Sequence, residues 1–192
     1  MGIQLVAESE VDANTLEGCR RGDPEAQRRV FERYKDRVFS IALNFLKGDD
    51  AAAKDVTQEV FVKVFRAAPS FRRDARFSTW LYRIVANVCM DELRRRRRLV
   101  LVGDVPPRMH PTVAPIEPAE LDADVMAALG RLSPKLRIAV LLRYFDDLTY
   151  DQMAEALGVT HGTVASRLNR AHKFLARELA HMNPARAQSG GD

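Results

Sequence analysis

The segment from Gly103 to Glu120 limits what this chain can fold into. It holds five of the nine prolines (Pro106, Pro107, Pro111, Pro115 and Pro118) and no periodic apolar pattern. Proline lacks the amide donor that helices and sheets use, and it drives the preceding residue out of the helical region. The segment is therefore predicted to be an extended linker, with a separate small domain on each side. A length of 192 residues accommodates two such domains, and a hydrophobic content of 46% supplies their cores.

The broad composition removes several function classes. The longest apolar runs, such as residues 138–142, are far shorter than the roughly 20 residues needed to cross a bilayer, so no membrane insertion is expected. The start MGIQLVAESE has no basic segment followed by an apolar one, so no signal peptide is read. Cys19 and Cys89 lie far apart without a paired neighbour. That argues against a zinc site and a disulfide framework, and fits a reducing cytoplasm. No glycine-rich phosphate loop, HExxH or nucleophile elbow is present, and the four histidines have no metal-ligand spacing. The chain is expected not to be an enzyme and to need no metal or cofactor.

Before the linker, helical periodicity runs without strand-like alternation. A short helix from Thr15 to Arg21 is expected to stop at Gly22. Asp23-Pro24-Glu25 then supplies an N-cap, a first helical position and a first-turn acid. Val30, Phe31, Tyr34, Val38, Ile41, Ala42 and Phe45 follow at spacings suited to one helical face, and Lys47-Gly48 ends it. Asp49-Asp50 caps a helix reaching about Ala67, with Val56, Val60, Phe61 and Val64 inside. Its outer face carries Asp55, Gln58, Glu59 and Val62, one apolar side chain among polar ones.

The third helix belongs to the most basic part of the chain. Residues 71–98 contain nine arginines against three carboxylates, a local charge of +6 where the whole chain carries +4. Ser78 is the expected N-cap. Leu81, Ile84, Val85 and Val88 face inward, while Arg83, Asn87, Asp91 and Arg94 share the outer stripe. Arg72, Arg73 and Arg76 precede the helix, Phe77 and Trp80 sit among the charges, and Arg94 to Arg98 end it. Cations release counterions from phosphates, and rings stack on bases, so this surface is expected to bind nucleic acid.

After the linker, Val125, Met126, Leu129 and Leu132 mark one helix. Ser133-Pro134 starts another, buried through Leu136, Ile138, Val140, Leu141 and Leu142. Thr149 and Gln152 form a capping box, and Gly158 gives the freedom for a turn into a last helix reaching about Ala180. Val164, Leu168, Ala171, Leu175 and Leu179 face inward. The result is a helix-turn-helix whose second helix presents Thr160, His161, Thr163, Ser166, Arg167, Arg170 and Lys173 outward, a set able to reach base edges and phosphates.

With these motifs in place, the chain resembles the extracytoplasmic-function (ECF) sigma factors of the sigma-70 family. DVTQEVFVKVF at 55–65 resembles the polymerase-binding helix of region 2, and FSTWLYRIVANVCMDELRRRRR the promoter-reading helix after it. LTYDQMAEALGV with GTVASRLNRAHKFL resembles the region 4 helix-turn-helix. The resemblance implies an all-α protein with region 2 at 14–98, a linker at 99–120, region 4 at 121–181, and flexible tails at 1–13 and 182–192. It implies that Asp55, Gln58, Glu59 and Val62 dock on the beta-prime clamp helices of RNA polymerase core. Arg72, Arg73, Arg76, Phe77, Ser78, Trp80, Arg83, Asn87, Arg94, Arg95 and Arg96 would serve the minus-10 element. The outward residues of the last helix would read the minus-35 element, with region 4 near the beta flap. Phe71, Phe77, Trp80 and Tyr82 are the few aromatics of the melting segment, as in relatives of stringent promoter choice. An anti-sigma factor is a further expected partner. Ala165 and His172 depart from the basic residues common there in relatives, which bears on phosphate grip. Two other readings remain. One is a two-domain DNA-binding regulator that never touches polymerase. The other is a DNA-processing enzyme, for which the first half offers no nucleophile.

Overall fold

The computed structural model describes residues 11–71, 76–102 and 123–180. Among these residues there is no strand. Eight α-helices follow in order, α1 Ala13–Arg21, α2 Pro24–Phe45, α3 Asp50–Ala67, α4 Phe77–Val102, α5 Ala123–Arg131, α6 Pro134–Phe145, α7 Tyr150–Leu157 and α8 His161–Glu178. A 3₁₀ turn, Ala68–Ser70, follows α3.

The helix ends follow from local chemistry. Asp12, not foreseen as a cap, accepts from the amides of Asn14 and Thr15 and starts α1, and Gly22 stops it with φ 78°. Asp23 accepts from the Glu25 amide, with Pro24 at the first helical position. At the end of α2, Lys47 (φ 62°) and Gly48 (φ 84°) are both left-handed, and the Gly48 amide reaches back to the Leu43 carbonyl at 2.8 Å. Thr149 and Gln152 make both bonds of their capping box, at 2.8 and 3.3 Å. Asp147, in the α6–α7 turn, holds φ 50°, a conformation in which aspartate is among the tolerated residues.

Two expectations at helix ends are corrected. Ser78 is not an N-cap. Helix α4 begins at Phe77, and the Trp80 amide donates to the Arg76 carbonyl, so Arg76 occupies the capping position. Helix α4 also continues to Val102, through the first four residues assigned to the linker. The proline-rich segment itself lies outside the described residues.

The two expected bundles are present, and the structure adds how they pack. Helices α1 to α4 form one bundle and α5 to α8 another, yet their buried side chains join in one continuous cluster. Helix α4 lies against α7, and α2 against α5 and α6. The inward stripe foreseen on α4 is present, with Leu81, Val85 and Val88 buried. A second, adjacent stripe of Tyr82, Ala86 and Cys89 is buried as well. Residues four and three apart share a helical face, so this stripe is coherent. Tyr82 marks its direction: its hydroxyl donates to Asp146, in the turn between α6 and α7.

Arg137 on α6 is only 3% exposed and has no carboxylate partner in the core. Its guanidinium donates instead to the carbonyls of Leu129 (2.9 Å), Gly130 (2.5 Å), Leu132 (2.9 Å) and Phe45 (2.6 Å). Helix C-termini leave carbonyls unsatisfied and carry partial negative charge. One cation thus closes the ends of α5 and α2, which belong to different bundles. Burial lowers the Arg137 pKa from its ordinary value, and the group still remains cationic at neutral pH.

Asp49 shows how caps and packing combine. One carboxylate oxygen accepts from the Ala52 amide at 3.1 Å, and the other accepts from Arg96 of α4 at 2.9 Å. Asp49→Ala removes both and is expected to cost about 1–2 kcal/mol of stability, whereas Asp49→Asn keeps the cap and should cost about 0.5 kcal/mol. Urea unfolding of the two variants measures the difference. Equal losses would mean that the cap contributes nothing beyond the ion pair.

Candidate functional site

Three surfaces carry the residues singled out by the sequence. On α3, Val56, Val60, Phe61 and Val64 are buried, which turns Asp55, Gln58, Glu59 and Val62 to solvent as foreseen. Val62 is 48% exposed. Glu59 pairs with Lys63 at 2.8 Å, and Lys54 with Asp50 at 2.8 Å. Such exposed pairs are worth under about 1 kcal/mol, so they leave the acids available to a partner.

Beside these side chains lies an apolar groove of about 370 Å³, which periodicity did not reveal. Phe31 and Phe39 of α2 and Thr57, Gln58, Phe61, Val62 and Phe65 of α3 line it. Phe31 meets Phe61 edge-on at 4.8 Å, and Phe61 lies 5.9 Å from Phe65. Phe31, on the apolar face of α2, is half-buried. The spacing of Phe31, Phe39, Phe61 and Phe65 fits core positions equally well, so the sequence carried no separate signal for the groove.

Around the start of α4 the structure changes the expected roles. Arg72 and Arg73 lie outside the described residues, and Arg76 is exposed. Phe77, expected among the DNA contacts, is 3% exposed. It packs against Phe71 (5.6 Å), Trp80 (5.5 Å) and Tyr34 (5.8 Å), so in this conformation its ring has no face for a base. Phe71 and Tyr82 are buried too. Of the four aromatics of this segment, only Trp80 keeps part of its ring at the surface, resting on Phe71 at 4.9 Å. The polar stripe Arg83, Asn87, Asp91 and Arg94 is exposed as expected, and Ser78 is half-buried.

The arginine run is not uniform. Arg94 pairs with Asp91 at 2.7 Å, Arg95 with Glu92 at 2.7 Å, and Arg96 with both Glu92 (2.7 Å) and Asp49 (2.9 Å). Burial alone would raise the Glu92 pKa, but hydrogen bonds and charge from Arg95 and Arg96 outweigh it and hold the carboxyl below its ordinary value. Glu92 was not foreseen as a structural residue. Arg97 and Arg98 are exposed and make no ion pair among the described residues.

On α8, Thr160 caps the helix by accepting from the Thr163 amide at 3.2 Å. Val164, Leu168 and Ala171 are buried. This fixes the rotation of the helix and exposes His161, Ser166, Arg170 and Lys173, with Thr163 and Arg167 half-buried at the edge of the same face. The Thr160 and Thr163 hydroxyls bond each other at 2.9 Å, and the Ser166 hydroxyl donates to the Thr163 carbonyl at 3.0 Å. His172 pairs with Tyr144 of α6 through a 2.8 Å hydrogen bond. The arrangement is a helix packed by one face on its neighbours, with a basic, hydroxyl-bearing opposite face of a kind that fits a major groove. No group of metal-ligating side chains is assembled among the described residues, and no described helix is long and apolar enough to cross a membrane.

Two sequence families match the chain: Sigma-70 region 2 over residues 30–99 and Sigma-70 region 4 over residues 122–175. The RNA polymerase sigma-H factor of Pseudomonas aeruginosa is 32% identical over 88% of this chain and 94% of its own length. The chain belongs to the ECF sigma factors of the sigma-70 family. The ECF RNA polymerase sigma factor SigE of Mycolicibacterium smegmatis is 36% identical over 83% of this chain, which spans 64% of that longer relative. In fold, the chain is similar to the sigma factor RpoE of Bartonella quintana, solved with the anti-sigma factor NepR (TM-score 0.67, 24% identity, 80% of this chain and 96% of that one). ECF sigma factors are initiation factors of RNA polymerase that recognise promoters, which sets aside the regulator that acts without polymerase.

The division within the arginine run has a measurable consequence. Each phosphate neutralised contributes roughly 0.7–0.9 to the slope of log affinity against log salt. Replacing Arg97 and Arg98 with glutamine is expected to reduce that slope for nonspecific DNA by about 1.4–1.8. Replacing Arg95 and Arg96 should reduce it less, because Glu92 and Asp49 already offset their charge. Equal reductions would mean that the internal pairs give way fully to phosphate.

Proposed function

We propose that this sigma factor divides its work among the three surfaces. Asp55, Gln58, Glu59 and Val62 dock on the beta-prime clamp helices of the polymerase core, and the phenylalanine-lined groove beside them receives an apolar side chain from the same partner. Arg72, Arg73, Arg76, Trp80, Arg83 and Asn87 serve the minus-10 element, with Ser78 at the start of that face. The C-terminal arginines of α4 hold phosphate. Thr160, His161, Thr163, Ser166, Arg167, Arg170 and Lys173 address the minus-35 element, with region 4 near the beta flap. The region 2 domain, begun near residue 14, extends to the end of α4 at Val102, and region 4 occupies 121–181 beyond the linker. The protein acts in the cytoplasm, catalyses nothing itself, and leaves the chemistry of RNA synthesis to the polymerase. An anti-sigma factor is its natural antagonist, as RpoE of Bartonella quintana has in NepR.

The observation that carries this reading is the exposed acidic face of α3 beside an apolar groove, on the same bundle as a basic stripe. Acids repel DNA, so this face calls for a protein partner, and exposed apolar lining adds the desolvation that stabilises such contacts. Asp55→Lys combined with Glu59→Lys is expected to weaken binding to purified core by about a hundredfold or more, on the scale of several lost hot-spot contacts. Arg167→Ala with Arg170→Ala should keep core binding and lose transcription from the promoter of the protein's own gene. Core binding unchanged by the charge reversal would overturn the docking assignment.

A further inference from the structure

Resting on that docking assignment, we infer that Arg95, held in place by Glu92, belongs to the polymerase-docking surface beside Asp55 and Glu59. There it takes a carboxylate of the core. It is thus the exception among the C-terminal arginines of α4 and does not hold DNA phosphate.

Helical rotation divides the run. Arg83, Asn87, Asp91, Arg94 and Arg98 follow at spacings of three and four and share the outer stripe of α4. Arg95 stands about 100° further round than Arg94, toward Glu92. Glu92 and Arg96 share a face, and Arg96 reaches Asp49 at the start of α3, so that side of α4 adjoins α3. The Glu92 side chain is only 8% exposed and grips Arg95 twice: Nε donates to Oε2 at 2.7 Å and Nη2 to Oε1 at 3.0 Å. Such a fork fixes the plane of a guanidinium. Arg96 Nε donates to Glu92 Oε1 at 2.7 Å, so the carboxylate is itself anchored. The hydrogen bonds and charge of Glu92 favour the charged form of Arg95 first, and Asp55 and Glu59 on the outer face of α3 favour it further. Both acids are thus within electrostatic reach, yet neither forms an ion pair with Arg95 among the described residues.

Glu92 occupies only part of the donor capacity of this guanidinium, and the Arg95 side chain is 60% exposed. A protein that covers Asp55, Gln58 and Glu59 also strips water from the neighbouring Arg95, and a desolvated guanidinium needs an anion. Asp55 and Glu59 are engaged by the cations of the partner, so the anion comes from the partner as well. The docking face therefore carries both signs, which fixes register more firmly than a uniform charge does. Duplex DNA suits this position poorly, because a phosphate brought to Arg95 also approaches Asp55, Glu59 and Glu92. Arg98 lies on the outer stripe and makes no ion pair among the described residues, which suits it to phosphate. Glu92 is then a positioning residue, which keeps Arg95 off the stripe.

The test uses the full-length chain, purified core polymerase and a nonspecific DNA duplex. Arg95→Ala is expected to weaken core binding about tenfold, on the scale of one charge-assisted contact, and Arg95→Glu should weaken it more. The salt slope for the duplex should fall in Arg95→Ala by well under the roughly 0.7–0.9 that one phosphate contributes. Arg98→Ala should do the reverse, keeping core affinity and losing a full phosphate contribution. Glu92→Gln should weaken core binding about threefold and steepen the salt slope, because the released Arg95 can swing to the stripe. A merely structural Glu92 would lower the urea midpoint and move neither quantity, which would overturn its positioning role. Core affinity unchanged by Arg95→Ala overturns the inference. So does a gain, which would mean that Arg95 only screens the acids from a uniformly basic partner. A full phosphate contribution lost from the slope in Arg95→Ala overturns it too and returns the residue to the DNA surface. Asp55→Lys combined with Glu59→Lys is measured in parallel. Core binding kept by that variant refutes the docking reading, whereas binding lost there but kept by Arg95→Ala refutes this inference alone.

Discussion

Helix α4 is buried along two adjacent stripes, and the remainder of the structure depends on that. Leu81, Val85 and Val88 are buried, as are Tyr82, Ala86 and Cys89 beside them; Tyr82 reaches Asp146, and α4 packs against α7 of the second bundle. Burying a large side chain such as that of Tyr82 is worth about 1.5–3 kcal/mol, a noticeable part of the roughly 5–15 kcal/mol net stability of an ordinary domain. Arg137 adds to it by satisfying the last carbonyls of α2 and α5 with one guanidinium. The remaining face of α4 is left polar and basic. A single helix therefore serves as core element, interdomain seam and nucleic-acid surface, each on its own side.

Much of this was legible in the sequence. The caps Asp23, Asp49 and Thr149, the stop at Gly158, and the rotation of α3 and α8 follow from short-range rules about donors, acceptors and periodicity. Those rules need only a few neighbouring residues. What escaped depends on partners distant in sequence. Tyr82 reads as a surface aromatic until Asp146 is brought to it across 64 residues. Arg137 reads as a solvated arginine within an apolar helix until Phe45, 92 residues earlier, offers its carbonyl. Phe77 sits among arginines in the sequence, yet its ring turns inward because Phe71, Trp80 and Tyr34 form a site that fits it. The proline-rich segment was evidence for two bundles and was silent on whether they touch.

The same limit applies to the functional surfaces. The polar face of α3 was visible because it lies opposite the apolar stripe and carries one apolar residue, Val62, among Asp55, Gln58 and Glu59. The groove beside them was not, because Phe31, Phe39, Phe61 and Phe65 satisfy the helical pattern equally well as core residues. Within the arginine run, charge counting treats five residues alike. The structure separates them by the reach of Glu92 and Asp49, leaving Arg97 and Arg98 with the least internal competition. Cys89 is a small buried hydrophobe whose thiol is pushed up to about 12, by burial first and by Glu92 second, so it remains protonated and unreactive.

The central claim is that two helical bundles, joined by a proline-rich segment, share one core in the free chain. Differential scanning calorimetry of the full-length protein tests it directly, because a shared core must melt as a unit. The expected result is one transition whose calorimetric and van't Hoff enthalpies agree. Two resolved transitions, or a calorimetric enthalpy well above the van't Hoff value, would contradict it and would mean that the bundles unfold independently.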